Sequence, residues 1–164
     1  MQNRQSAECG IPFLLESDRL PWWKGESMVN PELNINPLRN ALSRLEEGIA
    51  RSSQNPHDDQ LRDGLIQRFE FTYEISHKIL KRFLEMTSAD PAQIDAMTFQ
   101  DLIRTANERG LLKGNWHNWK QYRDMRAKTS HTYAEEFAIA VVDQIPAFLD
   151  EALFLLGKLD AALR

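Results

Sequence analysis

The side chains best suited to chemistry lie close together in residues 126–133, Arg-Ala-Lys-Thr-Ser-His-Thr-Tyr. Arg126 is a permanent cation whose planar guanidinium matches phosphate oxygens. His131 can accept and donate protons near neutral pH, and Tyr133 adds a phenol. RNA cleavage would use such groups, because the 2′-OH loses a proton, the leaving oxygen gains one, and negative charge develops at phosphorus.

The spacing of Thr132 and Glu135 is that of a capping box and predicts the start of the last helix. Arg126 then lies in the last turn of the preceding helix, and His131 lies in the tight turn between the two. A helix N-terminus offers unpaired N–H groups and partial positive charge. The arrangement therefore favours an anion, and phosphate is the natural candidate.

A purely structural interpretation stays open beside this one. An arginine near the end of a helix commonly complements the helix dipole, and a histidine before a helix often bonds only the backbone. The spacing of Arg126 and His131 alone does not decide between the two interpretations.

The charge around this segment is unlike that of the whole chain. Five basic residues and one acidic residue lie between positions 113 and 131, whereas the formal net charge of the protein is -4. A basic patch on an acidic protein indicates a localised site for a polyanion. We predict that Arg123 and Lys128 support phosphate binding there.

Two carboxylates, Glu70 and Glu74, lie one turn apart in an otherwise apolar helix. A buried carboxylate needs a partner. We hypothesise that one of them pairs with Arg126 and orients it. The alternative, that they pair with Arg68, with Lys78 or with solvent, is equally open.

The elements that must position these residues are all helical. Apolar residues recur at helical spacing over 37–53, 59–86 and 133–163. A shorter helix follows the T-x-x-D capping box at Thr98 and ends before Gly110, and another follows Asn115. Asn36 is the predicted N-cap of the first helix, and 87–97 is predicted as a connection. We predict an all-α, up-and-down four- to five-helix bundle over 33–164.

The remaining features bound the class of protein. Residues 1–32 contain three prolines without a sustained period, which indicates an irregular extension, and Met28 is an alternative start. With Cys9 as the single cysteine, no signal-peptide pattern and no long apolar run, we expect a cytoplasmic protein. No metal-ligand spacing or glycine-rich phosphate loop is present in the sequence, so we expect no metal and no cofactor.

The pattern Arg126-x4-His131-x-Tyr133 resembles the signature of HEPN domains. The segments LRDGLIQRFEFTYE at 61–74, LKRFLE at 80–85 and SHTYAEE at 130–136 resemble the nucleotidyltransferase substrate-binding protein family and its HepT-like toxins. The similarity covers about residues 34–163. Many members have a polar residue after the motif arginine, where this chain has Ala127.

The resemblance implies a homodimeric helical bundle with a small minimal nucleotidyltransferase as its partner. One function that it implies is a metal-independent endoribonuclease, the toxin of a toxin-antitoxin pair, with Arg126 and His131 as the catalytic pair. The transferase would then silence the toxin by adding AMP to Tyr133. The alternative is a non-catalytic subunit that binds a nucleotide or other substrate for the transferase, and Ala127 counts toward this alternative.

Overall fold

A computed structural model describes residues 33–129 and 135–164 of the protein. These two ranges contain six helices: α1 (Asn36–Gln54), α2 (Asp59–Met86), α3 (Pro91–Asp95), α4 (Phe99–Glu108), α5 (Trp116–Thr129) and α6 (Glu135–Ala162). The predicted all-α bundle is confirmed. Within the described residues, none of the helices has the length and apolar character needed to cross a lipid bilayer. The predicted extension 1–32 lies outside the described residues.

The long α2 helix is the centre of the bundle, and it packs against each of the other five helices. Its apolar side chains cover more than one face, as expected for a helix that is buried on several sides. The buried apolar residues of α2 are Leu65, Ile66, Phe69, Tyr73, Ile79, Leu80, Phe83 and Leu84. This position allows α2 to present carboxylates to α5.

The start of α1 differs from the prediction. Asn36 is the first residue of the helix, and Ile35 occupies the N-cap position without a side-chain hydrogen bond. The Asn34 side chain supplies the acceptor instead, because its Oδ1 lies 3.0 Å from the Asn36 N–H. Pro37 lies in the first turn, where its missing N–H costs nothing.

The predicted limits of α4 are confirmed. The Thr98 hydroxyl accepts a hydrogen bond of 3.2 Å from the Asp101 N–H and donates one of 2.7 Å to the Asp101 carboxylate. At the other end, Gly110 has a φ of +70°, a conformation that favours glycine. The Leu111 N–H then donates to the Ala106 carbonyl at 3.0 Å and closes the helix.

Residues 87–97, predicted as a connection, include the five-residue helix α3. The Asp90 side chain caps it by accepting a hydrogen bond from the Gln93 N–H, and Ile94 is buried beneath it. Five residues are too few to show a helical period in the sequence, which is why this element was missed.

A buried carboxylate fixes the segment that leads into α5. Glu151 on α6 is 4% exposed and accepts hydrogen bonds from the N–H groups of Lys113 (3.0 Å) and Gly114 (2.7 Å). The Trp119 indole donates to the same carboxylate at 3.1 Å. Since Trp119 is fully buried, these bonds set the position of α5 and therefore of the basic residues that it carries.

Candidate active site

Arg126 lies in the last turn of α5, and its guanidinium faces α2. The Nε and one terminal nitrogen of Arg126 donate to the same Glu74 oxygen, at 3.1 and 2.5 Å. The hypothesised contact between Arg126 and a carboxylate of α2 is therefore present. Two donors from one guanidinium fix its orientation as well as its position.

Glu70, one turn earlier on α2, lies at the other side of the same guanidinium. Its carboxylate is 3.7 Å from a terminal nitrogen of Arg126. The Thr129 hydroxyl lies within hydrogen-bonding distance of Glu70 and 2.8 Å from the Arg126 carbonyl oxygen, and it donates to one of them at a time. Thr129 thus links the end of α5 to the carboxylate pair, a role that its sequence position did not indicate.

Arg126 stays charged and Tyr73 stays neutral near neutral pH. The hydrogen bond from Arg126 to Glu74, supported by the charge of Glu70, raises the pKa of Arg126. Beside it, burial raises the pKa of Tyr73 to about 12, although Arg123 and Arg126 oppose that shift. The Tyr73 phenol therefore keeps its proton near neutral pH and does not act as a base there.

The structure places the two predicted supporting cations on different sides of α5. The Arg123 guanidinium, one helical turn from Arg126, lies 4.8 Å from the centre of the Phe99 ring, on the α4 side. The Lys128 ammonium lies 5.7 Å from the centre of the Phe137 ring, on the α6 side. Lys128 lines a cleft of about 390 Å³ between α5 and α6, and Arg126 is not among the residues that line it.

His131, Tyr133 and the predicted capping box at Thr132 lie outside the described residues. The described chain resumes at Glu135, whose carboxylate is 3.6 Å from the Arg62 guanidinium. Thr129 and Glu135 are thus the described residues nearest to His131 in the sequence on its two sides. The roles of His131 and Tyr133 stay predictions.

Ala127 has an exposed side chain, whereas Arg126 is half-buried against α2. Among the described residues, Glu74 and Glu70 on another helix make contacts that orient Arg126. Within the described chain, the orientation of Arg126 therefore does not require a polar residue at position 127.

This arrangement can stabilise negative charge with an oriented, permanently cationic guanidinium. Two carboxylates already balance that charge, so an arriving phosphate would share Arg126 with Glu74. A group held in this way is positioned before a ligand arrives, which favours charge that develops during a reaction over charge that is present throughout.

Residues 33–161 match the family described as nucleotidyltransferase substrate binding protein like. The chain is 42% identical over 140 residues to a Haemophilus influenzae protein named probable ribonuclease HepT, a match that covers 80% of this chain and 95% of that protein.

Two solved structures have the same fold. One, from Haemophilus influenzae, is described as revealing the fold of a substrate binding domain of a nucleotidyltransferase; it is 41% identical, with a TM-score of 0.73 over 77% of this chain and 99% of its own. The other, from Thermus thermophilus, is 30% identical, with a TM-score of 0.61 over 74% of this chain and 98% of its own.

Proposed function

Because this chain belongs to the nucleotidyltransferase substrate binding protein family, we propose that it is the endoribonuclease toxin of a pair with a minimal nucleotidyltransferase. The observation that carries the proposal is the orientation of Arg126 by Glu74 and Glu70, five residues before His131. A relative of 42% identity that is named a probable ribonuclease supports the same activity.

In the proposed reaction, the RNA 2′-oxygen attacks the adjacent phosphorus and loses its proton to His131. The bond from phosphorus to the 5′-oxygen breaks, and that oxygen takes a proton from a second histidine. The products are a 2′,3′-cyclic phosphate and a 5′-hydroxyl. Arg126 stabilises the charge on the phosphoryl oxygens as it grows. Every proton is carried by a side chain, so the chemistry needs no metal.

The second histidine is the reason for proposing a homodimer. One chain supplies a single motif histidine, His131, whereas the reaction uses both a base and an acid. A two-fold axis would bring two copies of His131 to one RNA strand. Sedimentation of the purified chain tests this requirement, because a monomer that cleaves RNA would exclude the shared site.

We propose that AMP addition to Tyr133 is the silencing step. The attached group carries a phosphate charge and a large nucleoside, two residues from His131. It would neutralise the cation that RNA needs and occupy the space of a nucleotide. Intact mass after co-expression with the transferase should show AMP on the chain, and Tyr133→Phe should remove it and leave the toxin active.

The alternative function is a subunit that binds a nucleotide for the transferase without cleaving RNA. The match of residues 33–161 to the family described as nucleotidyltransferase substrate binding protein like favours it, although the two carboxylates beside Arg126 would repel an anion that is held only in the ground state. The solved relative described as a substrate binding domain fits this alternative as well.

Expression of the chain alone in growing cells separates the two functions. The proposed toxin slows growth, and His131→Ala relieves it. The control His57→Ala changes an exposed histidine between α1 and α2 and should stay toxic. A wild-type chain that accumulates as folded protein without affecting growth would favour the binding subunit.

A further inference from the structure

A half-buried cluster of rings lies on the surface where α2, α4 and α5 meet. The His77 ring is 5.3 Å from the Phe99 ring, and the Phe99 ring is 5.7 Å from the Trp116 ring, measured between centroids. The Arg123 guanidinium covers the Phe99 ring at 4.8 Å. We call these four residues, His77, Phe99, Trp116 and Arg123, the ring patch.

The ring patch differs from the aromatic core beside it. Trp119 and Phe148 are fully buried, and they meet at nearly right angles inside the bundle. Phe99 and Trp116 only pack against the edge of that core and keep part of their surface in solvent. Rings placed at the rim in this way keep exposed surface that can stack on an arriving ligand.

The ring patch lies next to the candidate active site along the line where α2 packs against α5, which we call the seam. Glu70 contacts Thr129, Glu74 contacts Arg126, and His77 shares the Phe99 ring with Arg123, so α2 and α5 run antiparallel here. Arg123 is one helical turn from Arg126. Trp116 is ten residues from Arg126, roughly 15 Å along the helix axis.

The charge around His77, at the ring patch, suits a polyanion. Burial lowers the pKa of His77, and the cations Lys81, Arg123 and Lys78 lower it further, so their field is positive at this ring. Lys81 is partly neutralised by Asp95 at 2.5 Å. No described carboxylate, in 33–129 or 135–164, forms an ion pair with Arg123.

We propose that the ring patch is a stacking subsite for the bases of single-stranded RNA that flank the bond cleaved at Arg126. This proposal rests on the proposed ribonuclease function for the position of that bond. Proteins bind single strands without reading their sequence by combining positive charge with exposed rings, because every base has a face to stack. The subsite would therefore add affinity for longer strands rather than choose a sequence.

The test measures binding of full-length chains that carry His131→Ala, which keeps the RNA intact. The probes are a fluorescent single-stranded RNA of about twelve nucleotides and a fluorescent dinucleotide. Trp116→Leu keeps apolar volume without a ring, whereas Trp116→Phe keeps a ring. The matched control is Phe154→Leu. Phe154 is on α6, away from the seam, and its ring also lies near a cation, with the Lys158 ammonium 5.1 Å from the ring centre.

We expect Trp116→Leu to weaken binding of the long RNA by about fivefold or more. Trp116→Phe should restore most of the affinity, and dinucleotide binding should stay at the value of the His131→Ala parent. Phe154→Leu should bind both probes as the parent does. Circular dichroism at increasing temperature checks that each variant is folded, and Phe99→Leu repeats the test if Trp116→Leu unfolds.

Equal affinity of all folded variants for the long RNA would overturn the subsite, as would a parent chain that binds no RNA. A loss of binding that accompanies a change in sedimentation would also overturn it, because the patch would then be a protein interface. Cleavage by the unmutated chain is scored separately. Ring-dependent binding without cleavage would remove the ribonuclease proposal and keep an RNA-binding subsite.

Discussion

Glu74→Gln is the change that most sharply tests the positioning of Arg126. The substitution keeps the shape of the side chain but removes the charge that accepts two hydrogen bonds from Arg126, at 3.1 and 2.5 Å. If Glu74 orients the guanidinium for the reaction, cleavage falls. If Glu74 only balances the charge of Arg126, cleavage and RNA affinity rise, because phosphate no longer competes with a carboxylate.

The structure separates the expected loss of activity from the loss of stability. The side chains of Arg126 and Glu74 are 28% and 44% exposed, so solvent screens the pair and its contribution to folding is at most about 1 kcal/mol. That lowers the midpoint of thermal unfolding by about 3 °C or less. A guanidinium displaced by about 1 Å from its productive position can cost tenfold to a hundredfold in rate.

The assay is the initial rate of cleavage of a fluorophore- and quencher-labelled RNA, with thermal unfolding measured on the same samples. Glu74→Gln should lose more in kcat/KM than its change in stability explains. Asp160→Asn is the control, because Asp160 forms comparable ion pairs with Arg39 (2.9 Å) and Arg164 (2.7 Å) far from the site. A Glu74→Gln chain that cleaves at or above the wild-type rate would refute the positioning role.

Three further predictions concern stability. Glu151→Leu leaves three donors without their acceptor and should reduce the free energy of unfolding in urea by about 2–4 kcal/mol, whereas the exposed Asp150→Asn should change it by less than about 0.5 kcal/mol. Gly110→Ala, at a φ of +70°, should lower the free energy of unfolding by about 1 kcal/mol. Gly64→Ala, inside α2 with no described atom near the added Cβ, should raise it by up to about 1 kcal/mol. Equal urea midpoints for the two variants would contradict this. Because the pKa of His77 is lowered in the folded protein, the native state binds fewer protons than the unfolded chain as the pH drops through about 6.5. The urea midpoint of unfolding should therefore fall with the pH in this range, and His77→Phe should reduce that fall.

The sequence carried enough local information to predict most of the helices. The capping box at Thr98 and the glycine at Gly110 are short-range signals, and each lies where it was predicted. The N-cap of α1 was misplaced because Asn36 is a good cap by residue type, whereas Ile35 takes the N-cap position and Asn34 supplies the side-chain acceptor.

The contact between Glu74 and Arg126 could be predicted only as one of two open alternatives, because a carboxylate in an apolar helix needs a partner but the sequence does not show which one it takes. The role of Glu151 could not be predicted, because its acceptor oxygens meet backbone N–H groups 37 and 38 residues earlier. Every residue except proline has a backbone N–H, so the sequence does not show which of these donors will meet a carboxylate. Lys128 was placed with Arg123 by charge alone, whereas the helix turns the two toward different neighbours.

The most direct measurement of the central claim is RNA cleavage by the purified full-length chain, without the transferase and with EDTA present. Arg126→Ala and His131→Ala are measured beside it, together with His57→Ala as a folded control. The proposed function predicts cleavage that persists in EDTA, disappears in both motif variants and survives in the control. A folded, dimeric chain without AMP on Tyr133 that leaves RNA intact would contradict it, as would cleavage that continues in either motif variant.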